Sequence, residues 1–156
     1  MDPATFVLSL IGTLTGTSGL VLGILNYRRD RASAVVTFQW DFVAMDPNNK
    51  STGQPVGVVS IANEGRRPLY IKLVYLDVPK KSGQGPVILR KSLEGRKLGE
   101  GDAEYVISIS NDVQAFMQKH FAKYWKNIRA VAVDNCGREY KSATVSKQPS
   151  WAVSST

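Results

Sequence analysis

An uncharged run at the start of the chain, PATFVLSLIGTLTGTSGLVLGILNY from Pro3 to Tyr27, limits what the rest can be. At about 1.5 Å of rise per residue it makes a helix of roughly 37 Å, enough to cross a hydrocarbon core of about 30 Å. Thr13, Thr15, Thr17 and Ser18 dilute its apolar members and weaken the insertion signal. The basic residues follow the run instead of preceding it, and no A-x-A-like site comes before Arg28, so a cleaved signal peptide fits poorly.

The small and polar residues of the run have a pattern. Ser9, Gly12, Gly16, Gly19, Gly23 and Asn26 are spaced alternately by three and four. On a helix they fall within an arc of roughly 100°. Glycine costs about 1 kcal/mol per helical position against alanine. Four on one stripe therefore point to close approach of another helix, since small residues let helix backbones pack in lipid. The alternative is that membrane helices are glycine-rich in general. Arg28, Arg29 and Arg31 come directly after the run, and the positive-inside rule then places the C-terminal side in the cytoplasm. The lone cysteine, Cys136, suits a reducing compartment and excludes an intramolecular disulfide.

The remainder of the 156 residues suffices for one domain, over 32–146, followed by a polar tail at 147–156 expected to fray. Residues 33–44 alternate, with Val36, Phe38, Trp40 and Phe42 on one face, as in a half-buried strand. Further strands are expected at 56–63, 69–78, 86–90, 103–109, 127–134 and 138–145. The third alternates imperfectly around Ile71 and Leu73, which suggests a bulge or burial on both faces. Residues 45–55, 64–68 and 91–102 read as loops. Residues 110–125 change period: Val113, Phe116, Met117, His120, Phe121 and Tyr124 share one helical face, after a cap at Ser110 or Asn111. The expected fold is mainly β: an antiparallel β-sandwich of about seven strands with one late helix, preceded by a hydrophobic N-terminal helix.

The segments VGVVSIANEGRRPLYIKLVYL, LGEGDAEYVISI and IRAVAVDNCGREYKS carry a resemblance. Their pattern is a strand ending in Asn-x-Gly-x-x-Pro (Asn63, Gly65, Pro68), a Gly-Glu pair before a strand (Gly99, Glu100), and a hairpin Asp-x-x-Gly-Arg-x-Tyr (Asp134, Gly137, Arg138, Tyr140). In this the chain resembles uncharacterised bacterial proteins in which a hydrophobic N-terminal helix precedes a small β-sandwich. The resemblance covers roughly two-thirds of the chain. It implies the fold and supplies no activity.

No catalytic constellation emerges. His120 is the single histidine and falls near an apolar helix face, where packing explains it. Cys136 has no histidine partner in sight. The aspartates are dispersed without calcium-loop spacing, and Gly95, Gly99 and Gly101 form no phosphate-binding motif. Neither cofactor nor metal is expected. The net charge of +7 is carried partly by Arg66, Arg67, Lys72, Lys80, Lys81, Arg90, Lys91, Arg96 and Lys97, which gather around turns and strand ends. They form a possible basic surface for an anionic leaflet. Nucleic acid is disfavoured, because no binding motif or interleaved aromatics accompany the charge.

The expected function is a non-enzymatic, single-pass membrane module that forms homo-oligomers through its glycine stripe and binds an unknown protein partner through its loops. Two alternatives use the same helix. It packs inside a helical filament, or it lines a pore in a membrane-permeabilising effector.

Overall fold

The computed structural model describes residues 2–43 and 55–152. Helix α1 (Pro3–Arg29) takes in the whole apolar run. Pro3 occupies the first turn, where its missing N–H leaves no gap, and Asp2 accepts from the Ala4 N–H at 3.3 Å. Within Pro3–Tyr27 an 18-residue window reaches a mean hydropathy of 1.7 and is 0% buried, and the segment is long and apolar enough to cross a membrane. The diluting threonines turn their hydroxyls back on the helix. Thr13 donates to the Ser9 carbonyl at 2.9 Å, Thr15 to Ile11 at 2.9 Å and Thr17 to Thr13 at 2.6 Å.

The strands that follow are β1 (Ala34–Phe42), β2 (Val56–Asn63), β3 (Leu69–Asp77), β4 (Val87–Leu98), β5 (Tyr105–Ser108), β6 (Arg129–Asp134) and β7 (Glu139–Lys141), with helix α2 (Asn111–Phe121) between β5 and β6. They form two antiparallel sheets, ordered β1-β2-β5 and β4-β3-β6-β7. Alternate residues face inward: Val36, Phe38 and Trp40 from β1, Val59 and Ile61 from β2, Leu69, Ile71, Val74 and Leu76 from β3, Ala130 and Ala132 from β6. Helix α2 adds Met117 and Phe121. This is the expected β-sandwich. The irregularity expected in β3 is a register shift between Ile71 and Leu73 against both neighbours.

Several expectations are corrected. Residues 91–98, expected as loop, are the second half of β4. Gly95, at φ 77°, lies in the part of β4 where the register against β3 shifts, between Lys91 and Arg96. Phe42 is 50% exposed instead of buried. Asp41, at φ 62°, breaks the alternation just before it, and the β1–β2 register shifts there. The tail does not fray over 147–152. Pro149 is fully buried, Trp151 is 5% exposed, and the Trp151 ring meets Trp40 edge-on at 5.0 Å. The Ser150 N–H donates to the Asp41 carboxylate at 3.0 Å and its hydroxyl does so at 2.6 Å. The domain's packed boundary thus moves from Ser146 to at least Ala152. Residues 44–54, most of the loop expected at 45–55, lie outside the described residues.

The expected helix over 110–125 is shorter. Ser110 caps α2, its hydroxyl accepting from the Val113 N–H at 3.5 Å, and a 3-10 turn (Trp125–Asn127) follows. Helix α2 lies at the end of the sandwich where β5 stops and β6 begins. The opposite end is where β1 leaves α1. There the antiparallel registers also bring the end of β2, the start of β3, the end of β4 and the end of β6.

Candidate functional site

The helix-proximal end is built by three sets of turn residues. Asn63 ends β2 and accepts from the Gly65 N–H at 3.0 Å. Its amide donates to the Arg67 carbonyl at 2.9 Å and to Leu98 at 3.0 Å, linking the two sheets. The Glu64 N–H donates to the Ser33 carbonyl at 2.9 Å. Gly65 is there because of close approach: a Cβ would sit 2.0 Å from the Arg31 carbonyl oxygen and 2.8 Å from the Ser33 nitrogen. Asp30 pairs with Arg66 at 3.7 Å. The Asn-x-Gly-x-x-Pro turn is thus a clasp on the linker from α1 to β1.

The β6–β7 hairpin is organised by Asp134, which is 5% exposed. Its Oδ1 accepts from the Cys136 N–H at 2.8 Å and the Arg138 N–H at 2.9 Å, and its Oδ2 accepts from the Tyr140 hydroxyl at 3.2 Å. A buried carboxylate holding several donors keeps a tight turn in one shape. Burial first, and then the Asp134 charge, push the Tyr140 hydroxyl above its ordinary titration range. The Gly-Glu turn completes the set, with the Gly99 N–H donating to the Asp102 carboxylate at 2.5 Å. The residues of the sequence pattern therefore converge on one end of the molecule, and their shared job is turn geometry.

Between clasp and hairpin lies a cleft of about 500 Å³. Tyr27, Asp30 and Arg31 line it from the helix side, Arg67 and Pro68 from the clasp, Leu69 and Tyr70 from β3, and Asp134 to Cys136 with Arg138 from the hairpin. The Arg31 guanidinium lies over the Tyr27 ring at 4.8 Å. A more open depression lined by Arg31, Ser33, Arg138 and Tyr140 adjoins it.

The basic residues singled out by sequence do not form one patch. Arg66 and Arg67 stand in the clasp, and of the two Arg67 lines the cleft while Arg66 pairs with Asp30. Arg96 and Lys97 pair with Ile71 and Tyr70 at the same end, with Arg96 over the Tyr105 ring at 5.7 Å. Arg90 and Lys91 lie midway along β4, opposite Val74 and Leu73, and Lys80 and Lys81 sit in a 3-10 turn at the far end. On an edge strand such as β4, charges also discourage pairing with other chains. Arg28 and Arg29 end α1. Of the stripe, Gly12, Gly16, Gly19 and Gly23 have nothing within 4 Å of where a Cβ would be, and Ser9 and Asn26 are exposed on the same helix.

Chemical groups elsewhere are dispersed. His120 stacks beside Phe116 at 4.6 Å between ring centroids. Among the described residues no three His, Cys, Asp or Glu side chains could hold a metal together. Sequence reasoning places Arg138 in the hairpin pattern and misses that it lines one cleft with Arg31 and Arg67. The signal is the β3–β6 pairing, which sets Asp134 opposite Ile71 and so brings the hairpin beside the clasp. Compared with family models, curated proteins and solved structures, the chain matches none.

Proposed function

We propose that the protein is a non-enzymatic, membrane-anchored interaction module: α1 spans the bilayer, Arg28, Arg29 and Arg31 hold the sandwich on the cytoplasmic side, and the glycine stripe brings copies together. One observation carries this reading. The apolar segment of α1 is 0% buried, while the sandwich core closes without it. A helix apolar on every side is covered by lipid or by other helices. The back-bonded threonine hydroxyls support insertion, because each polar group already has an acceptor within the helix. The trailing arginines support the orientation.

The test is the oligomeric state of the chain with and without residues 1–27, after alkaline washing and detergent extraction of membranes. The expected result is a wash-resistant, detergent-dependent oligomer that becomes a soluble monomer on deletion. An unchanged oligomer removes the stripe as the assembly device. A polymer released without detergent replaces the anchor with a filament core. Protease added outside intact cells is expected to spare the sandwich, and its cleavage there reverses the orientation.

A further inference from the structure

The cleft begins where the apolar run of α1 ends. Tyr27 closes the run and forms one wall, and Asp30 and Arg31, just past the end of α1, continue it. We propose that this cleft binds the phosphate of an anionic phospholipid headgroup from the leaflet that α1 enters. The proposal rests on the reading of α1 as a membrane anchor.

Charge favours it. Arg31, Arg67 and Arg138 are exposed and line the cleft together with two carboxylates. Both carboxylates are already engaged. Asp30 pairs with Arg66 at 3.7 Å, and Asp134 turns its oxygens to the hairpin N–H groups and the Tyr140 hydroxyl. Among the described residues, Arg31, Arg67 and Arg138 form no ion pair. Guanidinium forks match phosphate oxygens in pairs and are weakly hydrated, so they suit a phosphate at the edge of an apolar layer. A cleft of about 500 Å³ falls in the range of small-molecule sites. Tyr27, with Arg31 over its ring, gives the interfacial aromatic that fixes depth. Two arginines from the sandwich and one from the linker then hold the domain down on the leaflet. A nucleic acid would meet the same arginines, but its approach is obstructed by the bilayer from which Tyr27 emerges.

Cys136 is exposed, is the chain's single cysteine and lines the cleft, so its alkylation rate reports occupancy. The full chain is reconstituted in vesicles of phosphatidylcholine, alone or mixed with phosphatidylglycerol, and treated with a neutral maleimide. A negative surface lowers the local pH and slows thiol alkylation by itself. The reading is therefore the difference between wild type and Arg67→Gln/Arg138→Gln in the same vesicles. The expected result is severalfold slower alkylation of wild type in phosphatidylglycerol, with most of that protection lost in the double variant. Arg67→Gln alone, an exposed turn substitution, shows a partial loss and serves if the double variant does not fold. Equal protection of wild type and variants overturns the proposal. So does equal protection in phosphatidylcholine by soluble glycerol phosphate or by single-stranded RNA, which would make the ligand a soluble phosphate or a nucleic acid. Protein that leaves the vesicles on alkaline washing overturns the anchor as well. Protein that stays without differential protection overturns the cleft proposal alone.

Discussion

Helix α2 buries Met117 and Phe121 completely and leaves Gln118 and Lys119 to solvent, whereas α1 leaves Phe6, Leu10, Leu14, Leu20 and Leu25 each more than half exposed. Each large apolar side chain left in water forgoes about 1.5–3 kcal/mol of burial. In α2 the sandwich collects that energy, and the helix needs only one apolar face. In α1 no described residue collects it, and its apolar residues surround the axis. The contrast separates the two helices: α2 is covered by the sandwich, and the apolar residues of α1 are left uncovered by the described residues.

The largest expected effect tests that division directly. Phe121→Ala should cost the sandwich about 3–5 kcal/mol, the usual range for emptying a buried aromatic site. Leu14→Ala should leave it within about 0.5 kcal/mol, as surface changes do. Urea unfolding of the full chain in detergent, followed by tryptophan fluorescence, measures both. A large cost for Leu14→Ala would mean that α1 covers the sandwich after all, and the comparison would fail.

A second pair compares glycines. Gly65→Ala puts a Cβ against the Arg31 and Ser33 backbone, which cannot rotate away, and should cost roughly 1–3 kcal/mol. Gly23→Ala meets nothing within 4 Å and should leave the melting of the sandwich unchanged. A neutral Gly65→Ala would show that the linker yields, so that the clasp does not fix how α1 leaves the domain.

The same contrast explains which features are legible in the chain alone. Period-two and helical patterns find the strands and α2 because those residues meet a core, and burial imposes a period. Phe42 escapes the pattern because Asp41 turns left-handed, a choice that alternation does not encode. Residues 91–98 resemble a loop because β4 is an edge strand, where polar residues and Gly95 are tolerated. Trp151 stands out as an exception in a polar tail, yet its edge contact with Trp40 is a tertiary event between residues far apart in sequence. At the candidate site, the clasp and hairpin are visible as motifs. Their meeting around the cleft depends on strand order, which turn chemistry does not specify.

Gly16→Leu sharpens the outer half of the comparison with a smaller change in free energy. A bulky side chain in the stripe should weaken self-association roughly tenfold, about 1.4 kcal/mol, while the sandwich unfolds as before. Sedimentation in detergent measures the first and urea unfolding the second. Unaltered association would place the contact on another face of α1.

The smallest expected effect is the response to pH, which should again separate the two regions. In the sandwich, neighbours shift the titration of Glu139, Tyr75 and Tyr140. The Lys141 ammonium, 3.0 Å away, and the Tyr75 hydroxyl hold the Glu139 carboxyl below its ordinary range. That stabilisation is present above the unfolded value of about 4.3, and it fades as pH falls through the lower folded value. Tyr140 and Tyr75 behave oppositely. Burial, and then the Asp134 and Glu139 charges respectively, raise them, so their contribution is intact below about 10 and is lost as pH rises through the higher folded values. Tyr140→Phe should flatten the alkaline limb of a stability–pH curve, and Glu139→Gln should flatten the acid limb by less, since that pair is exposed and screened. The stripe residues of α1, from Ser9 to Asn26, have no side chain that titrates on either limb, so self-association should hold constant across both while the sandwich melts. Association that follows the acid or alkaline limb would instead tie the contact between copies to the sandwich, and the stripe would lose its role.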